Sequence, residues 1–339
     1  MRGVTAQVYE TGRRLALGAS ATSVHWIKGL CFFALGDGTV HVFDDAGALQ
    51  MKREVHSGPI LCAAPHPIAG ALLTGGDDGF LCETESDGTL SVVEEFGGKW
   101  INHLVSNSAS GIFAAALGKS VSVFRKDSQK VVHTFTYPST VGGLALDAKG
   151  RRLAASHYNG ITMRYVLMPD DKGQTLNWSG SHLAITLSPD ADYVISAMQE
   201  NALHGWRLPE KIDLRMDGYP AKTRSFSWDK RGRWLATSGA NSAIVWPFVG
   251  KLGPQGKPPM QPGEREALVT AVAFHPNEEV LAIGYADGAA LAVRLNDQMG
   301  VELDEPGEGP VTALAWSADG KQIAIGDEAG RGAIISLSS

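Results

Sequence analysis

One hairpin signature recurs eight times along the 339-residue chain, at a spacing of about 41 residues, and this repeat constrains the fold more than any single motif. The turns fall at Asp37-Gly38, Asp78-Gly79, Gly118-Lys119, Asn159-Gly160, Glu200-Asn201, Ala240-Asn241, Asp287-Gly288 and Ala329-Gly330. An alternating strand follows most of them, as in residues 39–43, 120–124, 290–293 and 333–336. A strand unit this short cannot bury its apolar face alone, so neighbouring units must stack. The expected fold is all-β: a β-propeller of four-stranded antiparallel blades, eight by the count of hairpins, with seven as the alternative. A repeat running from end to end also favours a single domain over 1–339 rather than the two that length alone suggests.

Each unit opens with a strand whose clearest copies are residues 311–317 and 269–275. The same register fits 223–229, 182–188, 141–147, 101–106, 60–65 and 21–26. One face of this strand carries large residues and the other mostly Ala, Ser, Gly or Cys, whereas a solvated sheet face would be polar. Small residues there suit a strand buried on both sides, and Ala313, Ala271 and Ser225 are expected to tolerate enlargement poorly. A turn follows, such as Ser188-Pro189-Asp190 or Ser317-Ala318-Asp319-Gly320, then a short apolar second strand, the hairpin, a third strand and a weaker outer strand.

This four-beat pattern resembles the WD40-repeat family over nearly the whole chain. The resemblance rests on the apolar-Ala-apolar first strand with its Ser-Pro-Asp turn, the small-residue second strand and the Asp-Gly hairpin. It also rests on the aromatic end of the third strand at Phe43, Phe124, Trp206 and Trp246. There are departures. No Trp-Asp pair closes a third strand, and only His56 and His182 stand near the place of the family's histidine. In that family a histidine, the hairpin aspartate, a hydroxyl residue and a tryptophan form a hydrogen-bonded tetrad. Most units here lack the set, so apolar burial is expected to carry more of the blade packing.

Two N-terminal segments, residues 4–9 and 14–17, are each placed to join the last unit and remove a sheet edge. Using both would give that blade one strand too many, and the sequence leaves the choice open.

The net charge of −6 leaves no basic footprint for nucleic acid. No apolar run reaches membrane-span length and the N-terminus lacks a signal-peptide core, so a cytoplasmic protein is expected. Three cysteines, Cys31, Cys62 and Cys82, make a poor disulfide framework and read as small buried hydrophobes. Gly118-Lys119-Ser120 lacks the upstream glycine of a phosphate-binding loop and sits in a hairpin. The acid pairs at Asp44, Asp77 and Asp170 are ordinary turn formers. Ten histidines show no metal spacing. His25 and His103 replace small residues on the first strand and read as hydrogen-bonded interior groups. Neither cofactor nor metal is expected.

A propeller presents its loops to partners. The loops into the first strand and between the second and third strands carry Trp100, Asn102, His157, Tyr158, His182, Arg224 and Tyr285, with the acids Asp77, Glu200 and Glu328. Tyr, Trp and Arg dominate interface energetics, so these residues form the candidate partner surface. The Gly/Pro-rich segment 249–263, with two lysines, reads as a mobile excursion and a candidate second docking site. The expected role is a non-catalytic protein–protein interaction scaffold, monomeric alone or within a larger complex. A propeller enzyme or small-ligand sensor and a structural subunit of an obligate complex are the alternatives.

Overall fold

The structure is a computed structural model that describes residues 4–7, 12–68, 70–126, 128–250 and 252–337. Among the described residues all regular structure is strand, with no helix. The chain forms two compact units, one of Met1–Phe33, Phe43–Leu49 and Gly218–Ser339, the other of Ala34–Val42 and Gln50–Asp217.

Seven hydrogen-bonded sheets make up a β-propeller, so the expected eight blades are corrected to seven. The difference arises at the fourth and fifth repeats. There the pairing continues through Arg152–Tyr165, which turns back at Asn159 and Gly160 (φ 67° and 146°) so that the Val166 amide reaches the Arg151 carbonyl at 2.9 Å, and on into Gln174–Leu187. Each of these long strands serves two successive pairings, with register shifts between Tyr158 and Gly160 and between His182 and Ala184. Two repeats therefore share one six-stranded sheet.

In four of the hairpins the positive φ falls on the glycine of the turn. Gly38, Gly79, Gly288 and Gly330 have φ of 85°, 84°, 84° and 86°. At Gly38 a Cβ would lie 2.4 Å from the His56 carbonyl oxygen, so only glycine fits the turn. The preceding Asp37 carboxylate accepts from the Thr39 amide at 3.0 Å and hydroxyl at 2.7 Å, fixing the bend.

In the first unit, the N-terminal question resolves into two separate pairings. Strand Arg13–Ala16 lies antiparallel to Arg331–Ser336 and completes the last blade as its fourth strand. Leu15 and Leu17 are buried there, and the Leu17 and Gly18 amides both donate to the Gly330 carbonyl, at 2.9 and 3.1 Å. Strand Val4–Gln7 instead runs parallel to Gly300–Asp304, as a fifth strand of the preceding sheet. The surplus strand is thus given to a neighbour; residues 8 and 9 of the expected segment lie outside the described residues.

Stacking of blades follows the two faces read from the sequence. On the large face, Trp316 Nε1 donates to the Ala273 carbonyl of the preceding blade, and Trp26 Nε1 donates to Ala315, both at 3.0 Å. On the small face, Ala271 and Ala313 are buried and Ser225 is half-buried, with its hydroxyl accepting from the Val272 amide at 3.0 Å. The second strands add a contact of their own. A Cβ on Gly284 would meet Val311 Cγ1 at 2.4 Å, and one on Gly326 would meet Ala21 Cβ at 2.5 Å. The missing side chains let the next blade approach.

The second unit repeats this device, since a Cβ on Gly75 would lie 2.6 Å from Ile101 Cγ2. Beside it Cys62 Sγ donates to the Ile101 carbonyl at 3.1 Å. All three cysteines are free, and desolvation pushes their thiols up, to about 12 for Cys62 and Cys82. They pack as apolar groups, as the sequence implied. Phe113 and Phe124 stack at 4.8 Å in the same core.

Parts of the tetrad survive. His56 Nδ1 sits 2.9 Å from the Asp78 carboxylate and Nε2 2.9 Å from the Thr74 hydroxyl, all within the second unit. Burial alone would raise the Asp78 carboxyl. Hydrogen bonds from His56 and from the Phe80 and Ser57 amides outweigh it and hold the group below 3.8. In the first unit Tyr219 takes the histidine's place, its hydroxyl 2.7 Å from Thr237 Oγ1 and accepting from Trp246 Nε1 at 2.7 Å. Tyrosine for histidine leaves no Gly-His signal in the sequence.

The segment after Val249 is tied by hydrogen bonds of its own. Turn hydrogen bonds link Gly250 to Gly253 and Leu252 to Gln255, and the Lys257 ammonium donates to the Val249 and Gly253 carbonyls. Met260 then pairs with Val245 as a single bridge in place of a fourth strand. Lys257 is thereby tied into its own loop rather than offered to a partner; Lys251 lies outside the described residues.

Candidate functional site

The first strands do not enter their sheets smoothly. Register shifts occur between Ile60 and Cys62, His182 and Ala184, Val269 and Ala271, and Val311 and Ala313. One residue in each, namely Leu61, Leu183, Thr270 or Thr312, therefore leaves the ladder as a β-bulge, a device that re-aims a side chain. Arg224 occupies the same place in its repeat. Its amide and that of Ser225 both donate to the Ser238 hydroxyl, at 3.1 and 3.0 Å.

In the first unit these bulges line a cleft of about 610 Å³ together with Ser20, Lys222, Arg224 and Glu328 and the apolar residues Leu268, Val269 and Pro310. The hydroxyls are committed to backbone. Thr270 Oγ1 donates to Val311 at 2.7 Å and Gly284 at 3.2 Å, and Thr312 Oγ1 to Gly326 at 3.2 Å. Lys222 and Arg224 are different: among the described residues neither side chain makes an ion pair or hydrogen bond, and Arg224 is exposed. Glu328 is also exposed, held by its backbone amide to the Pro310 carbonyl at 2.9 Å.

Of the residues expected at a partner surface, Arg224 and Glu328 are brought together at this cleft. Trp100 and Tyr158 are exposed at 60% and 58%, and Asn102 and Glu200 are exposed in the second unit as well. Asp77 is half-buried, its amide bonded to the Pro59 carbonyl. His157, His182 and Tyr285 are buried and cannot present side chains to a partner. His157 Nε2 lies 2.8 Å from the Thr162 hydroxyl and His182 Nδ1 lies 2.7 Å from the Ser196 hydroxyl. The Tyr285 hydroxyl donates to the Gly263 carbonyl beneath the Arg265 guanidinium. Lys222, Thr270 and Thr312 escaped the sequence reading, although for the two threonines the second position of the first-strand copy carried the signal.

Among the described residues no group of three or more His, Cys, Asp or Glu is arranged to hold a metal ion. No helix among them is long and apolar enough to cross a membrane.

His204 stands apart from the other histidines. It is fully buried, stacked on Trp178 at 3.9 Å and edge-on to Trp206 at 4.6 Å. Neither ring nitrogen has a hydrogen-bond partner among the described residues. Desolvation pushes His204, and likewise His25, down from 6.5 to about 4. The folded chain holds both rings neutral, whereas the unfolded chain protonates them near 6.5. The native state is therefore fully favoured above that pH and loses stability as pH falls toward 4. His204→Phe keeps the stacking and removes two unsatisfied nitrogens. It is expected to raise stability by about 1 kcal/mol and to flatten the acid limb of denaturation curves taken between these pH values.

The repeats and sheets define a β-propeller, and comparison with known proteins finds similarity to a WD40 domain over its last part. The family described as the anaphase-promoting complex subunit 4 WD40 domain matches residues 272–339. A crystal structure of the computationally designed Ika8 protein superposes with a TM-score of 0.76 at 16% identity, covering 94% of this chain and 96% of that one. A chain in the crystal structure of the Mitotic Checkpoint Complex superposes with a TM-score of 0.67 at 14% identity, covering 100% of this chain and 94% of that one. At such identities the likeness is one of fold. Comparison with curated protein sequences finds no match.

Proposed function

We propose that the protein is a non-catalytic, cytoplasmic protein–protein interaction scaffold that uses first-strand bulges and adjoining loops as contact surface. The observation that carries this reading is the cleft of the first unit. Hydrogen-bonded strand entries there carry two uncommitted cations in a cleft that apolar residues also line. Rigid elements presenting large or charged groups lose little entropy on binding, which favours recognition. A WD40-type fold supports the same role, and one structure of similar fold belongs to a multiprotein assembly, the Mitotic Checkpoint Complex. Exposed Trp100 and Tyr158 supply aromatic contact area of the kind that anchors interfaces.

The test is affinity purification from native cells with wild-type protein and a Trp100→Ala/Arg224→Ala double variant. Both side chains are exposed, so the variant should melt within a degree or two of wild type while losing at least one reproducible partner. Retention of every partner by the folded variant would refute the role assigned to these residues.

A further inference from the structure

Resting on the scaffold reading, we propose that the turn Tyr165–Met168 in the second unit is an apolar knob that seats in an apolar pocket of a separate protein. Tyr165, Leu167 and Met168 are 54%, 54% and 56% exposed, while Val166 among them is fully buried. Large apolar side chains scattered singly over a surface need no explanation. Here three of the thirteen exposed ones among the described residues fall within four consecutive positions. The Met168 amide donates to the Tyr165 carbonyl at 3.2 Å, and a turn closed in this way keeps its end Cα atoms within about 7 Å.

The same turn in two other repeats shows what folding alone requires. Strands ending at Tyr165, Arg207 and Arg294 are each followed by a buried residue whose amide reaches back to an earlier turn. Val166 donates to the Arg151 carbonyl at 2.9 Å, Leu208 to Asp192 at 2.7 Å and Leu295 to Glu279 at 2.9 Å. About Leu208 and Leu295 the flanking residues form ion pairs, Arg207 with Glu210 at 3.2 Å and Arg294 with Asp297 at 2.6 Å. Tyr165 and Met168 stand at the two positions of that pair, and Leu167 stands where the others have Pro209 and Asn296. A surface ion pair keeps its groups hydrated. The apolar set leaves hydrocarbon in water without helping the anchor, which Val166 already supplies, so its fit is to another surface.

The turn is also held in shape. The Asp171 carboxylate accepts from the Tyr165 amide at 2.6 Å and from the Gly173 amide at 3.0 Å. The Asp171 amide donates to the Met168 carbonyl at 3.0 Å, and the Arg164 guanidinium donates to the Asp171 carbonyl. A preshaped element loses little entropy on docking, and tyrosine and methionine are enriched at interfaces. Lipid fits less well. One short apolar element binds membranes only marginally unless basic charge assists it, and here the single exposed Lys172 is offset by exposed Asp170. A protein pocket needs no such assistance.

The photoreactive residue p-benzoylphenylalanine, placed at Leu167 and as a control at exposed Asn296, reads the contact directly when native cells are irradiated. Position 167 should cross-link to a protein other than this chain, and position 296 should not. With that protein purified, titration calorimetry should show a negative heat-capacity change, the mark of buried apolar surface, and little dependence on salt. Tyr165→Arg/Met168→Glu writes the ion pair of the other repeats into this turn and should lose about tenfold in affinity or more. Leu167→Asn should lose several-fold, both variants keeping the melting temperature of wild type. Phosphatidylcholine–phosphatidylserine vesicles should carry down none of the protein. No adduct at 167 beyond that at 296, adducts only between copies of this chain, or vesicle binding that the ion-pair variant loses would overturn the proposal. So would a captured protein whose binding falls steeply with salt, or one that binds both folded variants at full affinity. If the Trp100→Ala/Arg224→Ala variant still loses a partner in any of these cases, the scaffold reading stands and only the role of the turn fails.

Discussion

Removing residues 1–17 is expected to lower the stability of the folded chain by about 5 kcal/mol, whereas removing residues 1–11 should lower it by only about 1 kcal/mol. The larger deletion strips the last blade of strand Arg13–Ala16 and of buried Leu15 and Leu17. Two buried leucines are worth about 2 kcal/mol each. The amides that bond Gly330, at 2.9 and 3.1 Å, add about 1 kcal/mol more. The Arg14 ion pair with Glu305 at 2.5 Å is solvent-exposed and adds little. Loss of the strand also uncovers Arg331–Ser336 as an edge, a template for aggregation. Among the described residues the smaller deletion takes away the parallel pairing of Val4–Gln7 with Gly300–Asp304, beside a sheet that already has four strands. Denaturant midpoints of the three proteins, with light scattering to follow aggregation, distinguish the two strands. Equal losses from both deletions would mean that Arg13–Ala16 does not complete the blade.

The same contrast shows how much the sequence could reveal. Local patterns were legible because they rest on local physics: Asp37-Gly38 and its equivalents read as turns, and Ala271 and Ala313 read as a crowded inner face. The number of sheets was not, because it depends on whether pairing through Arg152–Tyr165 and Gln174–Leu187 joins two repeats into one sheet, and eight hairpins are compatible with either outcome. The candidate surface was legible in part. Position along the repeat identified Arg224 and Glu328, but it could not tell that His157, His182 and Tyr285 in similar places turn inward to serve Thr162, Ser196 and Gly263. Long polar side chains in loops bind neighbouring backbone as readily as partners, and composition does not separate the two.

Gly284→Val is the substitution on which local propensity and packing disagree most. Gly284 lies within strand Val280–Tyr285, paired to Ala271 and Ala290, and valine favours a strand over glycine by up to about 1 kcal/mol. Propensity alone therefore expects stabilisation. Packing opposes it: the first carbon added would stand 2.4 Å from Val311 Cγ1 and 2.7 Å from its Cβ, on the innermost strand of the next blade. Overpacking of this kind costs about 3 kcal/mol or more, so packing should win and the variant should lose stability. Gly300 provides the control, since a Cβ there meets nothing closer than 3.6 Å. Gly300→Ala should be neutral or stabilising by up to about 1 kcal/mol, although both glycines occupy strands of one sheet. Combining Gly284→Val with Val311→Ala should recover part of the loss, giving a coupling of about 1 kcal/mol or more in a double-mutant cycle. Strict additivity, or a stabilised Gly284→Val protein, would show that the blades are not held at the separation that these missing side chains permit.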